Sequence, residues 1–370
     1  MFGRAWWVAL VGLSGCQLVL GFEDHEPFPG GGGGAGAGAS TSTQNTTSTQ
    51  GTTTSTQSST TGGEGGQPIV YTFGEATELV DAGTELTDLV VEGDRLYALS
   101  PSDQNIVSID LGASKPKVET LGMGLNAPRG LVYSAGALFT TAGDMTALSC
   151  SLYQVDPISG APTSLIGLPN DGTNCYFALG AEGTLAAASR GDEVRTRTGG
   201  GQGQLIGKAY AGSTIPALVI DSGKYFWIDV NSGELLRSDG ATVQPQHNPP
   251  GNQVDTLAQM AVPADLAVRN GQVYVVGDGG VGRVAATANN SSFTILTPSA
   301  DAPRGISVDA SHVYWADGTS LRAVLLDAQG VTPTVLYDDD ETPNDSVSVG
   351  ETIYFTTQSG KIFTISKTVE

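Results

Sequence analysis

The 370-residue chain sets 38 Asp and Glu against 17 Lys and Arg, a formal charge of −21, and a field of that sign repels nucleic acid and anionic headgroups. Apolar residues nowhere recur at the 3.6-residue helical period, so a helical core is excluded and strands are expected throughout.

In chain order, Met1-Phe-Gly-Arg4 carries one positive charge and Ala5 to Leu13 is a short apolar run. A membrane-spanning helix needs ~20 apolar residues, so residues 1–15 read as a secretory signal. The run ends in Leu13-Ser-Gly-Cys16, which is similar to the bacterial lipobox. That resemblance implies acylation of Cys16, and two or three acyl chains give stable attachment where one is marginal. Gln17 after the cysteine implies the outer membrane by the enteric sorting rule, on its periplasmic or surface face.

Residues 16–29 form the lipidated N-terminal segment. From Gly30 to Gln67 the chain is almost wholly Gly, Ser, Thr and Gln, which cannot build a core and is expected to be a disordered tether. Its r.m.s. span would be ~30–40 Å. Only four acids (Glu23, Asp24, Glu26, Glu64) and one base (Arg4) precede residue 68, so residues 68–370 carry a net charge near −18.

A repeat fills everything after residue 68, and Pro303 to Asp317 shows it best. Ile306 and Val308 alternate with Ser307 as a half-buried strand, Asp309-Ala-Ser311 turns, and His312 to Ala316 forms a second strand. Asp317-Gly318 is a hairpin signal. Ser320–Leu326 and Pro333–Leu336 read as a third and a fourth strand. The unit recurs seven times, marked by Tyr97, Phe139, Ala186, Phe226, Tyr274, Tyr314 and Tyr354 at intervals of 42, 47, 40, 48, 40 and 40 residues. Four antiparallel strands in ~40 residues is one propeller blade. The last unit stops after a third strand, Lys361–Ile365. Ala76–Val80 resembles the fourth strands, so the N-terminal strand is expected to complete the last blade and remove its open edge.

Val313-Tyr-Trp-Ala-Asp317 and Tyr225-Phe-Trp-Ile-Asp229 resemble the YWTD class of propeller repeat, and residues 68–370 are similar to YWTD-like and TolB-like propeller lipoproteins of Gram-negative bacteria. The resemblance implies an all-β, seven-bladed β-propeller and carries little about activity. Asp229 and Asp317 are expected to bond their own turns.

With Cys16 lipidated, Cys150 and Cys175 remain as a pair in an oxidising compartment. Their disulfide would contribute ~3 kcal/mol in the chain-entropy model. His25, His247 and His312 have no Glu or Cys at ligand spacing, and no GxSxG elbow occurs. The ligand sets of lyase-like and gluconolactonase-like propellers do not map onto this chain residue by residue. No catalytic residue, metal or cofactor is therefore expected, and the chain reads as a non-enzyme.

In this kind of fold the start of each first strand faces the mouth of the central channel. Asp88, Arg129, Tyr176, Asp265, Arg304 and Asp345 stand at those positions, as a mixed-charge ring that could grip a polar ligand or peptide. The long excursion Asp239–Val262 is a second candidate. The expected function is a membrane-anchored binding module for a protein or glycan. The alternatives are a structural subunit of an envelope assembly and a metal-dependent lyase or hydrolase.

Overall fold

The structure is a computed structural model. It describes residues 55–59, 69–144, 149–168, 178–183, 185–190, 192–196, 204–240, 254–298 and 300–369. The signal, Cys16, most of the tether, Cys175, Tyr176 and the centre of the Asp239–Val262 excursion lie outside those residues.

Every regular element described is a strand, and the strands form seven blades in a ring. Blades 1 to 6 are four-stranded and antiparallel, and each runs outward in sequence order. Their innermost strands are Leu89–Glu92, Arg129–Ser134, Leu179–Glu182, Leu218–Asp221, Pro263–Arg269 and Pro303–Val308. Blade 7 begins with Pro343–Val349 and Thr352–Thr357, and its third strand, Lys361–Val369, is the longest in the chain. The seven marker residues all fall on second strands. Six of them pair with the same position of their innermost strand, as in Val90↔Tyr97, Val132↔Phe139, Val219↔Phe226 and Val347↔Tyr354; in blade 3 that position, Gly180, pairs with Ala187, and Ala186 stands one residue out of register.

The aromatic pairs of the repeat work by strand alternation. Neighbouring residues point to opposite faces of a sheet, so Trp227 packs back onto blade 3 beside Val194 and Ile206. Phe226 packs forward onto Leu266 and Val275 of blade 5. Trp315 and Tyr314 divide in the same way between blades 5 and 7. All four rings are buried, and each such side chain contributes ~1.5–3 kcal/mol through burial. Blade 3, the weak member of the repeat, has Ala187 where the others carry an aromatic, and the marker read from the sequence, Ala186, faces back onto blade 2 beside Phe139. The neighbouring Trp227 occupies the adjoining space, since a Cβ on Gly207 would lie 2.3 Å from its Cη2.

Asp229 bonds its own turn as expected and reaches further, whereas Asp317 bonds groups outside its turn. Asp229 accepts the N–H groups of Asn231 and Ser232 at 3.0 and 3.1 Å, and the Tyr210 N–H at 2.6 Å from the segment entering the blade. Asp317 accepts the Asp301 N–H and lies 2.7 Å from Arg322 Nε.

Closure is made by residues 69–81. Thr77–Asp81 pairs with Lys361–Thr364, and Ile69–Phe73 pairs with the end of the same strand through Tyr71↔Val369, Thr72↔Thr368 and Phe73↔Lys367. The N-terminal strand thus completes the last blade, and it is longer than the Ala76–Val80 stretch that the sequence marks. One expectation is corrected. Ser55–Ser59, inside the supposed tether, is a strand paired with Ile69–Phe73. Its Ser, Thr and Gln side chains offer no core, but edge pairing needs only backbone donors and acceptors. A chain beginning at residue 83 should melt at least about 10 °C below one beginning at residue 68, given ~2–4 °C per kcal/mol for a large domain. Equal melting temperatures by circular dichroism would remove closure as a source of stability.

Candidate functional site

The innermost strands converge on the propeller axis, and the residues where they leave the mouth are equivalent in all blades. They are Asp88, Gly130, Ala178, Ala217, Asp265, Gly305 and Asp345. Crowding explains the four small ones. A Cβ on Gly130 would lie 3.0 Å from Leu179 Cβ, and one on Gly305, which has φ +43°, would lie 2.7 Å from Asp345 Oδ1. In blades 2, 5, 6 and 7 the register with the second strand shifts here, between Arg129 and Leu131, Pro263 and Asp265, Arg304 and Ile306, and Pro343 and Ser346. A β-bulge of this kind re-aims the side chain it carries.

The three aspartates are held by a shared device. Asp265 Oδ1 accepts the N–H of the next residue, Leu266, at 2.8 Å, and its Oδ2 accepts the Ile306 N–H of the next blade at 2.9 Å. Asp345 repeats this with Ser346 at 2.8 Å and with Leu89 of blade 1 at 2.8 Å. Asp88 accepts the Thr87 hydroxyl at 2.8 Å and the backbone of Leu131 in blade 2. Each carboxylate therefore bridges two blades and keeps a lone pair toward the axis.

These groups line a cavity of about 300 Å³, together with Ser307 and Ser346 and an apolar throat that includes Val132, Val219 and Val347. The charged arc comes from blades 5, 7 and 1. The opposite wall is Ala178, Leu179, Pro216 and Ala217. Burial raises all three carboxyl pKa values. Asp265 is pushed up to about 7, mainly by burial and in part by Asp88, against its two backbone hydrogen bonds. Asp345 stands well above the ordinary range because burial adds to repulsion from Asp88 and Asp265. Burial also raises Asp88, with hydrogen bonds and Arg129 opposing it. All three line the same cavity, and Asp88 adds to the upward shifts of Asp265 and Asp345.

The expected mixed-charge ring is corrected to an acidic one. Arg129 and Arg304 precede the mouth position by one residue, which turns them off the cavity wall. Burial lowers the Arg129 pKa, with Asp88 opposing the shift. Arg304 is half-buried, and its guanidinium makes no hydrogen bond or ion pair with the described residues. Tyr176 lies outside those residues. Cys150 is buried on the third strand of blade 2, Ser149–Val155, and Cys175, its expected partner, is outside them. Sequence reading missed Ser307 and the valine throat. Strand alternation two residues beyond the mouth position would have found Ser307 and the valines. Among the described residues no group of three or more His, Cys, Asp or Glu is disposed to hold a metal ion.

Comparison with known proteins gives a fold and no family. No protein-family model matches the chain, and no curated protein matches it. Among solved structures it is similar to virginiamycin B lyase from Staphylococcus aureus, in a catalytically inactive variant with quinupristin. The TM-score is 0.62 at 14% identity, covering 80% of this chain and 99% of that one. The WD40 propeller domain of Doa1 gives 0.60 at 12% identity, covering 78% and 95%. The computationally designed Ika8 protein gives 0.53 at 10% identity, covering 78% and 98%. At these identities the likeness establishes a β-propeller, a fold commonly used as a protein-interaction module.

Two outcomes test the site. Gly305→Ala should destabilise the domain by about 1–3 kcal/mol, since it adds a side chain at positive φ against Asp345; a change within ~0.5 kcal/mol in denaturant unfolding would contradict the packing. The raised carboxyl pKa values mean that the folded state binds protons more tightly than the unfolded chain. For Asp265 that contribution to stability is complete below about pH 4 and is lost as pH rises through about 7,. Asp265→Ala should therefore flatten the fall in melting temperature between pH 5 and pH 8. An unchanged slope would mean that Asp265 titrates normally.

Proposed function

We propose that this chain is a non-catalytic binding module, held at the cell envelope by lipid on Cys16, whose channel mouth takes a cationic group from a protein or glycan partner. One observation carries the reading: Asp88, Asp265 and Asp345 converge from three blades on one axial cavity, where burial raises all three carboxyl pKa values and repulsion adds to the shifts of Asp265 and Asp345. A cation placed there relieves that repulsion, and the apolar wall opposite suits the methylene stem of a lysine or arginine. A protein partner fits this chemistry better than a neutral glycan. The net charge near −18 steers basic partners toward the domain and nucleic acid away from it,.

The anchor reading rests on Leu13-Ser-Gly-Cys16 and on the polar segment that follows. The same compartment favours a disulfide between Cys150 and Cys175. Cys16→Ser should release the protein from the envelope fraction, and the thiol count of the denatured mature chain should be zero without reductant. Retention of the variant, or two reactive thiols, would remove the anchor or the disulfide respectively.

The binding reading is tested with a fluorescent lysine-rich peptide and a glutamate-rich control. The lysine-rich peptide should bind preferentially, weaken as pH falls through about 7, and lose at least about tenfold in affinity in the Asp88→Asn, Asp265→Asn, Asp345→Asn variant, which is the order of one charge-assisted contact. Equal affinity of that variant, folded by circular dichroism, would move the site elsewhere. A stoichiometric divalent ion in purified protein would instead favour metal-dependent chemistry.

A further inference from the structure

The closing strand is built in two parts with different neighbours. Thr77–Asp81 lies over the seam of blades 7 and 1, where Leu79 and Val80 pack with Leu86, Leu96 and Ile362. Ile69–Phe73 lies over the seam of blades 6 and 7, where Phe73 packs with Tyr314, Leu336 and Ile365. Between them, Gly74 donates to the Ser366 carbonyl at 2.9 Å, and Glu75 and Ala76 are outside either strand. A Cβ on Gly74 would lie 2.4 Å from Ser366 Oγ, so a side chain at this joint would have to turn that hydroxyl aside.

Under Ile69–Phe73 sits a buried polar cluster. Asp309 of blade 6 accepts the N–H groups of Ser311 and His312 at 2.7 and 2.8 Å through Oδ1. Its Oδ2 accepts the Tyr314 hydroxyl at 2.7 Å, the Ser348 hydroxyl at 2.9 Å and the ammonium of Lys367. Lys367 is only 6% exposed. Tyr71 and Phe73 close the space from outside, their rings meeting His312 edge-on at 4.8 and 5.2 Å. An ion pair so placed depends on its cover, because water entering from one side removes the low-dielectric setting that strengthens it.

The cluster also reaches the channel. Ser348, which bonds Asp309, stands three residues from Asp345 on the same innermost strand, Pro343–Val349. A path of direct contacts therefore joins the N-terminal strand to the acidic ring: Phe73 pairs with Lys367, Lys367 with Asp309, and Asp309 with Ser348.

We propose that Ile69–Phe73 is a releasable clasp, separable from Thr77–Asp81 at the Gly74 joint, whose release opens the Asp309–Lys367 pair to water and loosens the strand that carries Asp345. Strand 69–73 runs antiparallel to the end of Lys361–Val369, so a pull from the N-terminal side opens the pairs one at a time, Tyr71↔Val369 first. The device stands independently of what the channel binds.

The test uses hydrogen exchange on the full chain carrying Tyr71→Ser and Phe73→Ser. Exchange in residues 343–369 and 303–317 should rise at least tenfold, with blades 2 to 4 unchanged. Faster exchange throughout the ring, or none in 343–369, would overturn the proposal. A second measurement needs no core substitution. The chain is pulled in optical tweezers between its N-terminus and a handle on exposed Lys115, introduced as Lys115→Cys. A first step that frees residues 55–73, about 65 Å at ~3.5 Å per residue, should precede global unfolding. A single unfolding step would sink the clasp.

Discussion

Seven innermost strands meet at one axis, and the crowding there governs the rest of the molecule. At the mouth each blade has room for little more than a Cβ, so the equivalent positions are Gly130, Ala178, Ala217 and Gly305. The remaining three are aspartates that use the crowding. Asp265 and Asp345 each take one N–H from their own strand and one from the next blade, so the carboxylates are at once links between blades and the lining of the cavity. Backbone donors fix them in place, and a site held that way needs no side-chain rearrangement to meet a ligand.

The outer parts of the blades solve a different problem, the fit between flat sheets. Alternation along the second strand sends Phe226 and Tyr314 to one neighbour and Trp227 and Trp315 to the other. The ring closes because residues 69–81 fill the open edge of Lys361–Val369. That strand does more than complete a sheet. Its first half covers the only ion pair among the described residues that joins blade 6 to the final strand, Asp309 with Lys367. The closing element and the channel are thereby in contact through named side chains.

Much of the fold was legible because the repeat is carried by packing. Aromatic residues at a 40-residue spacing mark second strands, and all seven markers fall there, including Ala186 in the blade whose space Trp227 takes. Strand ends were less legible. Pro263–Arg269 and Pro343–Val349 begin two and three residues before the Asp265 and Ser346 at which the sequence pattern starts them, because bulges add residues without altering the alternation that follows. The same bulges hid the orientation of Arg129 and Arg304. A linear pattern places them beside the aspartates, and only the shifted register turns them off the axis. Ser55–Ser59 was illegible for another reason: a strand paired at an edge by backbone alone leaves no apolar signature.

The central claim is that three carboxylates occupy one enclosed space, and the most direct measurement is a carboxyl-carbon NMR titration of Asp88, Asp265 and Asp345, assigned by single substitutions. Convergence requires Asp265 to titrate near pH 7, Asp345 well above the ordinary carboxylate range and Asp88 above it, with Asp265 and Asp345 both shifting down when Asp88 is removed. Three independent titrations at ordinary carboxylate values would show separate, solvated groups, and the acidic ring would cease to be a site.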